Sequence, residues 1–476
     1  MPTADAGGAS PRFSPVVTAC AAAVLAGAVI LFVWLQLSVP PLERVSSPER
    51  ALALIVGRSL DLEEAFARAP VWERWLYEVT TSDSLDELAQ AIAWYEELAA
   101  ASPEPLVSLQ LGILEGEAGH LDRVRETIAG WERNGEPFAS YARLLKAAYL
   151  AKRLDRDEAL LAQAELAEFL PSGWFYDKLA GGVASRAGDR SWPARGAEIQ
   201  ADRIGPLVLR SRILVSIQLV AFLIGVVSLA AVLRRRHDGT ALKVGPVPLP
   251  PQWSGRTGMI VLIRGGAAGA VITVGLLLLG PDNLALQLVS IPLTNLPVLL
   301  LAQRHLFGPL DVGLARGLGL WPVTGGAGRF WLLVAATVAA GLLGEWGLGL
   351  AAEQFRLSSH WTEWFDGDLV WGPAPVVLTG LVEYVLLAPL FEEVLFRGLL
   401  FATLRRRLGA WPAAAASATL FAAAHGYGLL GFASVFWSGL LWAWIYEKSG
   451  SLWPSLTAHA LNNLLVCVTT ILLLRE

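Results

Sequence analysis

The sequence predicts an all-α fold: a polytopic membrane helix bundle with an extracytoplasmic α-helical solenoid domain inserted into it. Three observations carry that expectation. The 476 residues are 54% hydrophobic and only 17% charged, with a mean hydropathy of +0.50, whereas soluble globular proteins carry roughly 25% charged residues. The charge is unevenly placed. Residues 40–207 hold 28 acidic and 18 basic residues, a net of −10, while the other 308 residues hold 14 and 19, a net of +5. Outside that acidic stretch the chain is a series of apolar runs near the length of about 20 residues that a helix needs to cross a bilayer.

Nine such runs are read: Pro15–Val39, Ile213–Leu233, Met259–Leu279, Leu284–Gln303, Phe330–Ala351, Val376–Leu404, Trp411–His425, Phe432–Tyr446 and Leu452–Leu474. The seventh and eighth are short and meet at Gly426-Tyr427-Gly428. With a cytoplasmic N-terminus, the short cytoplasmic loops carry 12 Lys and Arg, including Arg234-Arg235-Arg236 and Arg405-Arg406-Arg407, and those on the other side carry one, Arg356. That asymmetry sets the orientation and places residues 40–207 outside the cytoplasm of a multi-pass plasma (inner) membrane protein. The first run exceeds the 7–15 apolar residues of a signal peptide, so residues 1–39 read as an uncleaved anchor. The net charge of −5 leaves no basic footprint for nucleic acid. Cys20 and Cys467 lie in apolar runs and read as packing residues rather than a redox pair.

The acidic domain repeats. Pro70, Pro103, Pro137 and Pro171 are 33, 34 and 34 residues apart, with Leu85-Asp86, Leu121-Asp122 and Leu154-Asp155 between them. Proline is tolerated in the first turn of a helix and Asp suits an N-cap, so each period reads as helix–turn–helix. A period of 34 resembles a tetratricopeptide-like solenoid in length and architecture, though not in all its signature residues. It implies a peptide- or partner-binding surface.

Ionisable residues inside membrane helices are costly and usually functional. Here they gather toward the C-terminus, in Glu392-Glu393-Val394-Leu395-Phe396-Arg397, Phe421-Ala422-Ala423-Ala424-His425 and His459-Ala460-Leu461-Asn462-Asn463. Glu393 and Arg397 are four apart and share a helix face; Glu392 points about 100° away. His459 and Asn463 also share a face. A desolvated Glu beside a His can deprotonate water, and a His with an Asn can donate to an oxyanion. Glu392, His425 and His459 would equally suffice as ligands for catalytic zinc, and the sequence alone does not separate the two mechanisms.

The pattern Glu-Glu-x-x-x-Arg, Phe-x-x-x-His, His-x-x-x-Asn resembles the CPBP family of intramembrane proteases, relatives of the type II CAAX prenyl endopeptidase and of abortive-infection proteins. Phe396-Arg397-Gly398 and Tyr446-Glu447-Lys448-Ser449-Gly450-Ser451-Leu452 fit the same pattern. The resemblance covers about residues 370–475. It implies that Glu392 is the general base, that Glu393 and Arg397 support the site, that His425 positions water, and that His459 and Asn463 stabilise the oxyanion. It implies a peptide or protein substrate in or at the membrane, membrane-associated or of prenylated type, with no cofactor favoured and zinc the alternative.

The expected organisation is therefore an anchor (1–39), a helical-repeat domain (40–207), further bundle helices (208–369) and a catalytic membrane core (370–476). The competing reading is a non-catalytic membrane scaffold or immunity protein, which would overtake the first if Glu392 lay more than about 10 Å from both histidines. A transporter predicts pseudosymmetric hydrophobic segments, and none is visible. Glu383 and Glu345 read as interhelical polar contacts, Asn462 as helix glue, and Arg264 as snorkelling to the cytoplasmic side.

Overall fold

The computed structural model describes residues 13–81, 87–280, 283–355 and 357–475; Leu85, Asp86 and Arg356 lie outside them. Among the described residues there is no strand. In chain order the principal helices are α1 (Pro15–Ser38), α2 (Pro48–Ala67), α3 (Val71–Thr81), α4 (Glu87–Ala101), α5 (Pro105–Glu117), α6 (Leu121–Trp131), α7 (Phe138–Leu145), α8 (Arg156–Phe169), α9 (Trp174–Ala187), α10 (Trp192–Arg235), α11 (Gly255–Leu278) and α12 (Leu284–Ala302). They continue with α13 (Gly326–Phe355), the broken helix α14 (Ala374–Arg405), α15 (Ala410–Ala423), α16 (Leu429–Ser449) and α17 (Trp453–Leu474).

Among the described residues eight helices are long and apolar enough to cross a membrane, not nine. The run Trp411–His425 forms the 14-residue helix α15. At 1.5 Å per residue it rises about 21 Å, short of the roughly 30 Å hydrocarbon core. The eighth run is not short: α16 has 21 residues. Arg405 pairs with Glu447 at 3.1 Å, so the end of α14 and the end of α16 lie together. Helix α15 thus starts beside the end of α16, and its other end, at His425, falls within the apolar thickness.

The chain divides into two compact units. The first comprises residues 1–40, 217–348 and 368–470. Its helices start where side chains satisfy free N–H groups: Ser254 Oγ accepts from Thr257 N at 3.1 Å, and Asn283 Oδ1 from Ala285 N at 3.0 Å. Helix α1 packs on α11, where Arg264 donates to the Ser14 carbonyl at 2.6 Å and to Thr18 Oγ1 at 2.8 Å. Arg264 thus reaches toward the N-terminal end of α1, which holds its guanidinium. Helix α16 ends at Gly450, whose φ of 64° is the left-handed conformation glycine accepts without penalty. The Gly450 and Ser449 carbonyls then take the Val247 and Val244 N–H groups at 3.1 and 2.9 Å.

Two π-helical stretches, Glu383–Leu387 and Glu393–Phe401, interrupt α14. Pro389 accounts for a consequence of the first. Ala388 N–H donates five residues back, to the Glu383 carbonyl. In that register the next donor would be residue 389, and proline has none. Residue 389 therefore offers the Tyr384 carbonyl no N–H.

The second unit comprises residues 41–216, 349–367 and 471–476. Helices α3, α5, α7 and α9 begin one to three residues after Pro70, Pro103, Pro137 and Pro171. Asp155 caps α8 with a full capping box, accepting from Glu158 N at 2.8 Å; Asp122 lies inside the first turn of α6, whose N-cap is His120. Consecutive helices pack pairwise, yet α9 also packs against α2 and α5. Trp174 Nε1 donates to Glu64 at 2.8 Å, and Arg203 joins Asp61 and Asp177 at 2.6 Å each. An open solenoid touches only its neighbours; this array closes its last helix onto its first.

Candidate active site

Helix α14 delivers both glutamates, α15 and its C-terminal turn deliver Phe421 and His425, and α17 delivers His459 and Asn463. Glu393 and Arg397 are both 0% exposed, with Arg397 Nη1 2.8 Å from Glu393 Oε1. The approach is an ion pair but not a hydrogen bond, because the guanidinium nitrogens have no partner of hydrogen-bond geometry. The aromatic rings stabilise the cation instead: Arg397 lies 4.3 Å from the Phe421 ring centre and 4.9 Å from that of Trp442. Gly439 makes this possible, since a Cβ there would meet Ala418 at 2.9 Å and Arg397 Nη2 at 3.3 Å.

Glu393 Oε1 also contacts His459 Nδ1 at 3.3 Å. A carboxylate only accepts, so Nδ1 carries the proton and Nε2 holds a lone pair. That lone pair faces Glu392 Oε2 at 3.6 Å. Two acceptors at this separation need a proton or a water between them. His459 is 3% exposed, whereas Glu392 is 32% exposed, so the open end of the array is Glu392. Trp442 fixes the imidazole plane by stacking on it at 3.9 Å and 18°.

His425 sits on the other side of the same aromatic residue. Phe421 meets the His425 ring at 4.8 Å and the His459 ring at 5.9 Å, both edge-on. His425 Nδ1 donates to the Phe421 carbonyl at 2.8 Å, which leaves Nε2 as an acceptor. Gly426 follows with φ 67°, and a Cβ there would collide with the Gln36 side chain of α1. Irregular backbone at this depth is tolerated only against protein or a water-filled cavity.

Asn463 Nδ2 donates to the Tyr384 carbonyl at 2.9 Å, a group that Pro389 gives no N–H. One N–H of the amide is thereby taken and one remains. Asn462, expected to hold helices together, is exposed, and Asn463 makes the interhelical bond instead. Glu345 does bridge helices, accepting from Ser434 Oγ at 2.6 Å. Glu383 makes no such contact among the described residues.

The structure brings Glu392, Glu393, Arg397 and His459 into one chain of contacts and sets His425 beside it across Phe421. Sequence reasoning missed Trp442, Gly439 and the Glu393–His459 contact. Phe421 stood in the motif, four residues before His425, but nothing marked Trp442 among 19 tryptophans. Among the described residues no group of three His, Cys, Asp or Glu side chains is placed to hold a metal ion.

Eight apolar helices and a carboxylate–imidazole array set among them define a multi-pass membrane protein equipped for acid–base chemistry within its bundle. Residues 374–465 match the family model described as "Type II CAAX prenyl endopeptidase Rce1-like". That stretch is an Rce1-like domain of the family its motifs resemble, and the family is one of membrane proteases. No curated protein and no solved structure matches the chain.

Proposed function

We propose that the protein is an intramembrane endopeptidase that cleaves a membrane-associated or prenylated-type peptide substrate with a water activated by Glu392. The observation that carries this reading is the 3.6 Å approach of Glu392 Oε2 to His459 Nε2, with His459 oriented from behind by Glu393. A separation above about 10 Å would have favoured the scaffold reading. In the proposed reaction a water between the two groups gives its proton to Glu392 as its oxygen attacks the carbonyl carbon. Glu392 then returns the proton to the leaving amine. His425 Nε2 orients the water. The free N–H of Asn463 stabilises the oxyanion; His459 Nε2 takes the second proton of the attacking water, and the imidazolium so formed, balanced by Glu393, donates to the same oxyanion before passing that proton to the leaving amine. An interior of low dielectric strengthens each of these contacts.

The Lys and Arg asymmetry supports a plasma (inner) membrane location with residues 40–207 extracytoplasmic. The regular helix starts after the four prolines support a tetratricopeptide-like role for that region, recruiting a protein partner or presenting substrate. The test is cleavage of a prenylated and a matched unprenylated peptide by reconstituted protein. Glu392→Gln should lower turnover by at least 10³-fold, an effect on the scale of losing a general base. Unchanged turnover would remove Glu392 from its assigned role.

A further inference from the structure

Helix α3 presents aromatic side chains to the outside. At about 100° per residue, Val71, Trp75 and Trp72 fall within one arc of roughly 100°. They are 72%, 60% and 67% exposed. The opposite side of the helix is fixed: Tyr77 stacks on Phe66 at 4.3 Å, and Glu73 pairs with Arg212 at 2.5 Å. The helix cannot roll to hide its indoles without breaking both contacts. Arg68 and Arg74 are exposed beside the arc.

What lies behind α3 indicates what lies in front of it. Phe66 and Tyr77 share a cluster with Leu62 and Leu207, and Leu473 packs against that cluster. Leu473 is in the last turn of α17, a candidate membrane span. The terminal carbonyls of α17 are capped by guanidinium groups, Arg210 Nη1 to the Leu472 oxygen at 3.2 Å and Arg58 Nη1 to the Leu473 oxygen at 3.4 Å. Cations at a helix C-terminus are favoured by its dipole, and charged groups at the end of a span mark the hydrocarbon boundary. The inner face of α3 therefore rests at the level where a membrane span ends. Indole rings, apolar with one N–H donor, concentrate in that zone, and guanidinium groups pair there with phosphate.

We propose that α3 is an interfacial helix whose Val71, Trp72 and Trp75 enter the headgroup region of the phospholipid bilayer, with Arg68 against lipid phosphates. The mode is that of an amphipathic helix lying in the interface.

The test uses the full chain in a Cys20→Ala, Cys467→Ala background, reconstituted in phosphatidylcholine–phosphatidylglycerol nanodiscs. A polarity-sensitive fluorophore is placed at Trp72→Cys or Trp75→Cys, with Leu160→Cys, 55% exposed on α8, as the aqueous reference. Val71→Cys lies on the same arc and serves where a tryptophan variant does not fold. Lipids brominated near the headgroup should quench the α3 labels at least twofold more than the reference, and aqueous iodide should quench them at least twofold less. Labels on α3 as open to iodide as the reference would overturn the proposal. So would labels shielded from iodide but untouched by brominated lipid, which would assign the face to a protein contact.

Discussion

Two adjacent glutamates have different surroundings and should fail differently. Glu393 is fully buried against Arg397, so Glu393→Gln leaves a buried guanidinium uncompensated. Breaking a buried pair from one side costs about 3–5 kcal/mol. Glu392 is one third exposed and holds no cation within ion-pair distance. Its conversion to Gln should leave the thermal midpoint in detergent nearly unchanged. Glu393→Gln should lower that midpoint clearly, and adding Arg397→Met should recover much of the loss, because an apolar replacement removes the stranded charge. Equal destabilisation by the two single variants would contradict this division of roles. The division was legible in part. A one-residue offset is 100° of helix, which separates the two carboxylates without any knowledge of neighbours. The partners were not legible. His459 meets Glu393 across 66 residues and Trp442 across 17, and no local pattern encodes a contact between faces of different helices.

At the level of elements, the apolar runs marked nearly every span, and the errors came where backbone geometry departs from 3.6 residues per turn. Helix α14 contains two π-helical stretches, so counting 100° per residue from Glu383 to Glu392 accumulates an error in facing. The same irregularity bears on Asn463, which bonds across helices to the Tyr384 carbonyl, a group that Pro389 gives no N–H. This coupling between Pro389 and Asn463 is measurable. Asn463→Ala removes that hydrogen bond and should cost about 0.5–1.5 kcal/mol. In a Pro389→Ala background residue 389 regains an N–H that can serve that carbonyl, so the same Asn463→Ala change should cost distinctly less. The difference is the interaction energy of a double-mutant cycle, read from unfolding midpoints of the four proteins. Additive effects would mean that Asn463 and the π-helical stretch are independent.

For the whole molecule, composition separates an acidic, charged stretch from an apolar remainder, and that contrast is visible without any structure. What composition hides is that the compact unit around residues 41–216 also includes residues 349–367 and 471–476. These are short pieces at the ends of apolar helices, and their sequences give no sign of partners so far away along the chain. Trp361 is 0% exposed, stacked on His360 at 5.8 Å, while His360 Nε2 contacts Glu97 at 3.0 Å. A fragment limited to residues 41–216 would lack Trp361 and the α17 carbonyls that Arg58 and Arg210 cap. Emptying a buried tryptophan site costs about 3–5 kcal/mol, a large share of the 5–15 kcal/mol that usually holds a domain together. At about 2–4 °C per kcal/mol for a unit of this size, the fragment's unfolding midpoint should lie on the order of 10 °C below that of a fragment fused through a flexible linker to residues 357–367. Trp361→Ala in the fused form should erase most of that gain. If the fused and unfused fragments melt together, Trp361 is a passenger on a domain complete in residues 41–216; if they separate as expected, the unit is assembled from segments on both sides of the membrane helices in the chain.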